Sequence, residues 1–183
     1  MEVATSAFTS CGISRVGDGG NVRGRNSSPV QLTGLVEHGD ARGRELGYPT
    51  ANLPVQDGKI RDGVWVGTVC VDPEGLGQSF AAAVSVGRRP TYYCKGTRLL
   101  EAHLLDFSGD LYGHTVLVTF HSYIRPQRKF RGTTELVAQI RRDVECVRSW
   151  TALACAEHES KGDHHLCPAF VTVNTPQWQG GLT

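Results

Sequence analysis

Thr50 and Asn52 stand two residues apart in Tyr48-Pro49-Thr50-Ala51-Asn52, directly after a glycine-rich and basic stretch that runs from His38 to Gly47. Pro49 fixes its own φ and pushes Tyr48 toward an extended shape. In an extended segment, side chains two apart point to the same side. The Thr50 hydroxyl and the Asn52 carbonyl oxygen can then face one hard cation. Mg2+ suits such a pair, because it takes a few protein oxygens and completes its shell with phosphate and water. Gly39, Gly43 and Gly47 let backbone N–H groups come close to an anion. Arg42 and Arg44 supply positive charge for phosphate oxygens. The alternative is a flexible loop that ends in an ordinary turn. The stretch is neither a GxxxxGK[ST] phosphate loop nor a clean GxGxxG opening a helix.

The elements that must position these residues are legible as periods. "VQLTGLV" from Val30 alternates weakly, as a strand does. Four further strands are predicted at 63–71, 79–87, 98–107 and 114–124, three of them rich in β-branched, aromatic or leucine residues. The alanines of 79–87 make that segment the weakest strand by composition. Turn signals separate the four: "DPEGLG", "GRRPTYYCKG" and "SGDLYG". In 98–107, Leu100, Ala102 and Leu104 share one face, whereas Leu99, Glu101, His103 and Leu105 share the other. The spacing predicts a small antiparallel barrel or sandwich. Leu136, Val137, Ile140, Val144 and Val147 then recur at helical steps, which predicts a helix over 133–155 capped by Thr133 or Thr134. Its apolar stripe should close one face of the barrel. There is no internal repeat.

Bulk properties exclude several classes of function. The chain has 183 residues, 39% hydrophobic and 20% charged, with a formal net charge of +1. That length fits one domain, and the charge argues against a nucleic-acid partner or an anionic membrane surface. No run approaches the ~18 apolar residues of a membrane span. The N-terminus has no basic opening or apolar run of a secretory signal, so a cytoplasmic location is expected. The six cysteines have no CxxC spacing, which argues against a disulfide framework. Residues 1–29 read as a disordered leader and 156–183 as a poorly ordered polar tail, leaving a domain over 30–155. Cys155, His158, His164, His165 and Cys167 include good zinc ligands, at a spacing that matches no standard finger.

"GRELGYPTANL" resembles the riboflavin kinase (flavokinase) signature, with its G-x-P-T-A-N core. The resemblance continues in order over residues 30–150. "GVWVGTVCV" is similar to the family's Gly-aromatic strand, with Trp65 where Tyr is usual. "VSVGRRPTY" resembles its S-I-G-x-x-P turn, and "LLEAHLLDFSGDLYG" its E-x-H strand followed by an acidic turn and Tyr-Gly. "YIRPQRKF" resembles its L-R-x-x-x-x-F loop and "LVAQIRRDVECVR" its closing helix. The resemblance implies a six-stranded antiparallel Greek-key β-barrel with a C-terminal helix. It implies transfer of the ATP γ-phosphate to the riboflavin 5′-hydroxyl, giving FMN and ADP.

Residue by residue, the resemblance implies Mg2+ and nucleotide phosphate at Thr50 and Asn52, beneath an ATP-covering flap around Gly39 to Gly47. Glu101 becomes the catalytic base, against the plain reading of a solvent-facing strand residue. A carboxylate there can accept the hydroxyl proton and orient the oxygen toward phosphorus. Arg125, Arg128 and Phe130 fall in the flavin loop. Phe130 can stack on the flavin ring or pack between barrel and helix. His103 lines the site or serves the fold, and Tyr112 shapes its turn. Many bacterial members carry an FAD synthetase domain in front of this module. Here no H-x-G-H motif precedes it, so the expectation is a kinase without FAD synthesis, either a monofunctional enzyme or a fragment. Riboflavin and ATP are the expected partners of a monomer. The competing readings are a silent flavin-binding module on the same barrel and a kinase for a flavin analogue or for another nucleotide such as CTP.

Overall fold

A computed structural model describes residues 14–15, 29–56, 60–75, 77–88 and 98–159. The elements run in the order β1 Ser14–Arg15, β2 Gln31–Leu35, α1 Arg42–Glu45, β3 Ala51–Pro54, β4 Gly63–Val71, β5 Gln78–Arg88, β6 Arg98–Leu104, β7 Thr115–Arg125 and α2 Thr133–Glu159. Every strand pairing is antiparallel. From β2 the ladder passes to β7, β4, β5, β6 and β3. A bridge between Glu37 and Asn52 then joins β3 back toward β2. Six antiparallel strands thus form a nearly closed Greek-key barrel, capped by the C-terminal helix. The two-residue β1 adds to the same edge of β7, through Ser122 and Tyr123.

The barrel is filled by the alternate residues that the pattern predicts. Leu100, Ala102 and Leu104 of β6 meet Val84 and Val86 of β5, Leu53 of β3 and Val116 and Val118 of β7 in one buried cluster. Leu53, Val84, Val86, Leu100, Val116 and Val118 are completely buried. Trp65 closes the cluster with edge-on contacts to Phe120 and Tyr123, at centroid distances of 5.8 and 4.9 Å. Beside this end, Arg98 is buried and bonds to Asp62 and to the Ile60 carbonyl.

The alanines of β5 have a structural reason. Ala81 and Ala83 point outward, where Val66, Leu105, Val144, Val147 and Trp150 pack over them. Small side chains let α2 lie close to the sheet, so composition understated a strand that in fact spans eleven residues. By contrast, β6 ends at Leu104, short of the predicted Phe107. Asp106 there takes a left-handed φ of 58°, and its carboxylate receives both Nη atoms of Arg148 at 2.9 and 2.6 Å. That hydrogen bond holds the Asp106 carboxyl below its ordinary range. The helix continues four residues past the expected Ala-Cys end, to Glu159. At its start, Glu135 accepts from the Arg131 N–H at 3.0 Å.

Cys70 is a free thiol, whereas Cys146 and Cys155 are disulfide-bonded. The expectation of a chain without disulfides is corrected for these two, since pairing follows proximity in the fold and not sequence interval. A disulfide also withdraws the Cys155 thiolate from the set of possible zinc ligands. Among the described residues no group of three His, Cys, Asp or Glu could hold a metal. His164, His165 and Cys167, and the leader apart from β1 and Pro29, lie outside the described residues.

Leu100→Ala should lower stability by about 2–5 kcal/mol, because a completely buried site cannot collapse fully around the lost atoms. A urea midpoint unchanged from wild type would contradict this packing. His121 stacks on Trp150 at 4.6 Å and hydrogen-bonds Thr68 Oγ1 at 3.1 Å. Burial pushes its imidazole below the ordinary 6.5. The folded state therefore resists the proton that the unfolded state accepts. Stability should fall as pH drops from about 7 to 5 and be untouched by His121 at higher pH. Urea titrations across that range should show a shallower slope for His121→Gln.

Candidate functional site

The outward face of the barrel carries one polar row. The β3–β6 register sets Asn52 opposite Glu101, and the β5–β6 register sets Ser85 on the other side of Glu101. Directly opposed side chains on one face have Cβ atoms about 4.5–5.5 Å apart. Their inward neighbours Leu53, Leu100 and Val86 are completely buried, which fixes Asn52, Glu101 and Ser85 on the outer face. The row continues through Val64 to Arg125 at the end of β7.

Asn52 is 5% exposed, and its Oδ1 is buried without a hydrogen-bond partner. Its Nδ2 donates to the Thr50 carbonyl at 3.3 Å. A buried acceptor left unmatched costs roughly 1–3 kcal/mol, so Oδ1 is a ready acceptor for a ligand or a water molecule. The glycine-rich segment lies directly above it. A Cβ on Gly39 would stand 2.8 Å from Asn52 Oδ1, so only glycine fits there. A Cβ on Gly43 would stand 2.5 Å from the Tyr48 carbonyl and 3.4 Å from Thr50 Oγ1. The stretch is not a plain loop, because Arg42–Glu45 form one helical turn after Ala41, which sits at φ 56°. Gly47 ends it at φ 82°.

Three contacts set the position of this cover. His103 Nδ1 hydrogen-bonds the Pro49 carbonyl at 2.8 Å, and the His103 ring meets Tyr48 edge-on at 5.3 Å. His103 thus anchors the Pro-Thr-Ala-Asn segment to β6, two residues from Glu101. On the far side, His38 stacks on Tyr112 at 3.7 Å, and the Arg44 guanidinium lies 6.0 Å from the same ring. Arg42 and Arg44 are exposed.

The structure therefore brings Gly39, Gly43, Thr50, Asn52 and Glu101 together. The loop residues expected near the flavin also have partners within the protein. The Arg125 guanidinium is bidentate on the buried Asp143 carboxylate, with Nη2 to Oδ2 at 2.6 Å and Nε to Oδ1 at 2.9 Å. Gln139 Nε2 adds a further bond to Asp143 Oδ1 at 2.9 Å. Here Arg125 fastens α2 to β7. Arg128 pairs with Glu135 at 3.2 Å and lies 4.7 Å over the Phe130 ring, with Arg125 5.8 Å from it. Two residues escaped the sequence reading. Gln127 and Ser85 are hydrogen-bonded at 2.9 Å, joining the loop after β7 to the strand beside Glu101. Their only sequence signal was position: Ser85 in the V-S-V-G strand end and Gln127 directly after Arg125-Pro126.

The donor set fits a divalent cation in part. Thr50 Oγ1 and the unmatched Asn52 Oδ1 are hard neutral oxygens, with the Glu101 carboxylate adjacent. They are too few to enclose an ion alone, which suits a cation that arrives with phosphate oxygens.

The family model described as Riboflavin kinase (Flavokinase) matches residues 26–151. Among curated proteins, the bifunctional riboflavin kinase/FMN adenylyltransferase of Pseudomonas fluorescens is 37% identical over 125 residues, covering 68% of this chain and 39% of its own length. The protein of the same description from Bacillus subtilis is 34% identical over 128 residues, covering 68% and 40%. That from Escherichia coli K12 is 38% identical over 129 residues, covering 68% and 39%. The chain thus spans about 40% of the length of the curated relatives it matches. A crystal structure described as a macrolide-efflux protein from Streptococcus pneumoniae superposes with a TM-score of 0.59 at 39% identity, covering 67% of this chain and 40% of the other. That description concerns the pneumococcal protein alone, and no helix among the described residues is long and apolar enough to cross a membrane. With the family model matching residues 26–151 and the Pro-Thr-Ala-Asn segment facing Glu101 across two barrel strands, the chain belongs to the riboflavin kinase family.

Proposed function

We propose that the chain transfers the γ-phosphate of ATP to the 5′-hydroxyl of riboflavin, giving FMN and ADP. The observation that carries this reading is the buried, unmatched Asn52 Oδ1, set opposite Glu101 beneath a glycine cover. An oxygen acceptor, a hydroxyl and a carboxylate on adjoining strands are what phosphoryl transfer asks of a protein: a place for the metal–phosphate unit and a group for the incoming hydroxyl.

Each residue then has a role. Thr50 and Asn52 would hold Mg2+, which when bound neutralises phosphate charge. Gly39 and Gly43 let the cover approach the phosphates, and Arg42 and Arg44 stand on it as exposed cations for phosphate oxygens. Glu101 accepts the proton of the ribityl hydroxyl and aims its oxygen in line with phosphorus. Arg128 and Phe130 border the acceptor side, whereas Arg125 acts through its hold on α2. Positioning and charge neutralisation supply most of the acceleration. The FAD-forming activity named for the relatives is not proposed for these residues.

Glu101→Gln should lower kcat for FMN formation by about 10²–10⁴-fold with the circular dichroism spectrum unchanged. Chromatography of riboflavin, Mg2+ and ATP reads this directly, and near wild-type turnover would remove Glu101 as the base. Riboflavin that binds wild-type protein yet never becomes FMN would favour a silent flavin-binding module instead. Gly39→Ala should cost about 10²-fold in turnover, because its methyl displaces the Asn52 amide. Full activity in a folded Gly39→Ala protein would mean that Asn52 does not serve the reaction.

A further inference from the structure

The Gln127 amide sits in a prepared seat on β5. Its Nε2 donates to Ser85 Oγ at 2.9 Å and to the Val86 carbonyl at 3.0 Å. The Val86 carbonyl can only accept, which fixes the amide with its nitrogen toward the strand. Gly87 completes the seat. A Cβ there would lie 3.1 Å from Gln127 Nε2 and 3.3 Å from its Cγ, tighter than an ordinary contact. Ser85 and Gly87 are two apart on one strand, so both face outward under the Gln127 side chain.

The seat adjoins the reaction centre. Ser85 is the cross-strand neighbour of Glu101, and Gly87 the neighbour of Leu99. Gln127 belongs to the segment 126–132 that joins β7 to α2 and carries Arg128 and Phe130. The base of this segment is fastened separately, by Arg125 on Asp143. The Gln127 bonds tie the start of the segment to β5, on the outer face of the barrel, while Arg128 and Arg131 bond Glu135 of α2. Gln127 itself is exposed, so packing does not hold it there.

We propose that Gln127, seated on Ser85, Val86 and Gly87, is a positioning residue that sets the acceptor side of the site. It holds the Arg128–Phe130 segment beside Glu101 in the arrangement that binds the flat, heteroaromatic acceptor. This rests on the phosphotransferase reading above. The nucleotide side, built on Gly39 to Asn52, lies across Glu101 from the seat and is independent of it. The seat also accounts for the glycine at the end of the Val84-Ser85-Val86-Gly87 run.

Gln127→Glu is the informative change, since a carboxylate has the same shape and cannot donate. It also faces the Val86 carbonyl with negative charge. Riboflavin affinity, read by quenching of flavin fluorescence, should weaken about tenfold or more, and the KM for riboflavin should rise with it. The KM for ATP should stay within twofold of wild type. Ser85→Ala, which removes one of the two acceptors, should give a smaller shift of the same sign. Backbone amides of 126–132 should exchange faster in Gln127→Glu, whereas those of β6 should not. A riboflavin dissociation constant unchanged in Gln127→Glu would overturn the proposal, as would an equal loss on the ATP side. Because binding and exchange need no turnover, the outcomes separate. A wild-type protein that binds riboflavin but makes no FMN sinks the kinase reading alone. Normal FMN formation with unaltered riboflavin affinity in Gln127→Glu sinks the seat alone.

Discussion

The antiparallel register between β3 and β6 is the constraint on which the site depends. It sets Asn52 opposite Glu101 and Leu53 opposite Leu100 in the same four-residue pairing. Side chains alternate strictly along a strand, so a slip of one residue would exchange the two faces. Asn52 would then enter an apolar interior, and Leu53 would leave it. The burial that stabilises the barrel therefore also fixes where the polar groups stand. The site needs no separate force to assemble its central pair.

Around that pair, the chain supplies restraints from three directions. His103 ties the Pro49 carbonyl to β6, which keeps Thr50 and Asn52 from rotating away with their turn. Tyr112 supports the cover from the β6–β7 connection through His38. On the opposite side, Arg125, Asp143 and Gln139 form a buried cluster that joins helix to barrel. Such a pair, once desolvated, has to stay fully bonded to avoid a large penalty, so it specifies one docking geometry. Rigid elements thus hold the chemistry, while glycines remain at the points of closest approach.

Much of this was legible in the residues. β4 and β7 declared themselves by β-branched and aromatic residues, β6 by alternation, and α2 by its Leu136–Val147 stripe. The motif residues Gly39, Thr50, Asn52 and Glu101 do converge, because their spacing reflects a shared cover and two paired strands. Other features were not legible for physical reasons. Ala81 and Ala83 look like poor strand formers until α2 is seen to rest on them. The bond between Arg125 and Asp143 joins residues eighteen apart that meet only in the folded protein, so the sequence does not show it. Gln127 carries no sequence signal beyond its position after Arg125-Pro126, since its acceptors include a backbone carbonyl. The disulfides of Cys146 and Cys155 likewise depend on proximity that intervals do not encode.

Among the described residues, β2 and β3 meet through the single Glu37–Asn52 bridge, with the Glu37 N–H donating to the Asn52 carbonyl at 2.9 Å. The other seams of the barrel among the described residues are ladders of at least four residue pairs. The weakest join in the cylinder thus runs through the main chain of the same asparagine whose side chain carries the buried, unmatched Oδ1. A ligand bound at that side chain would also bear on the seam, so binding there and closing the cylinder would be linked equilibria.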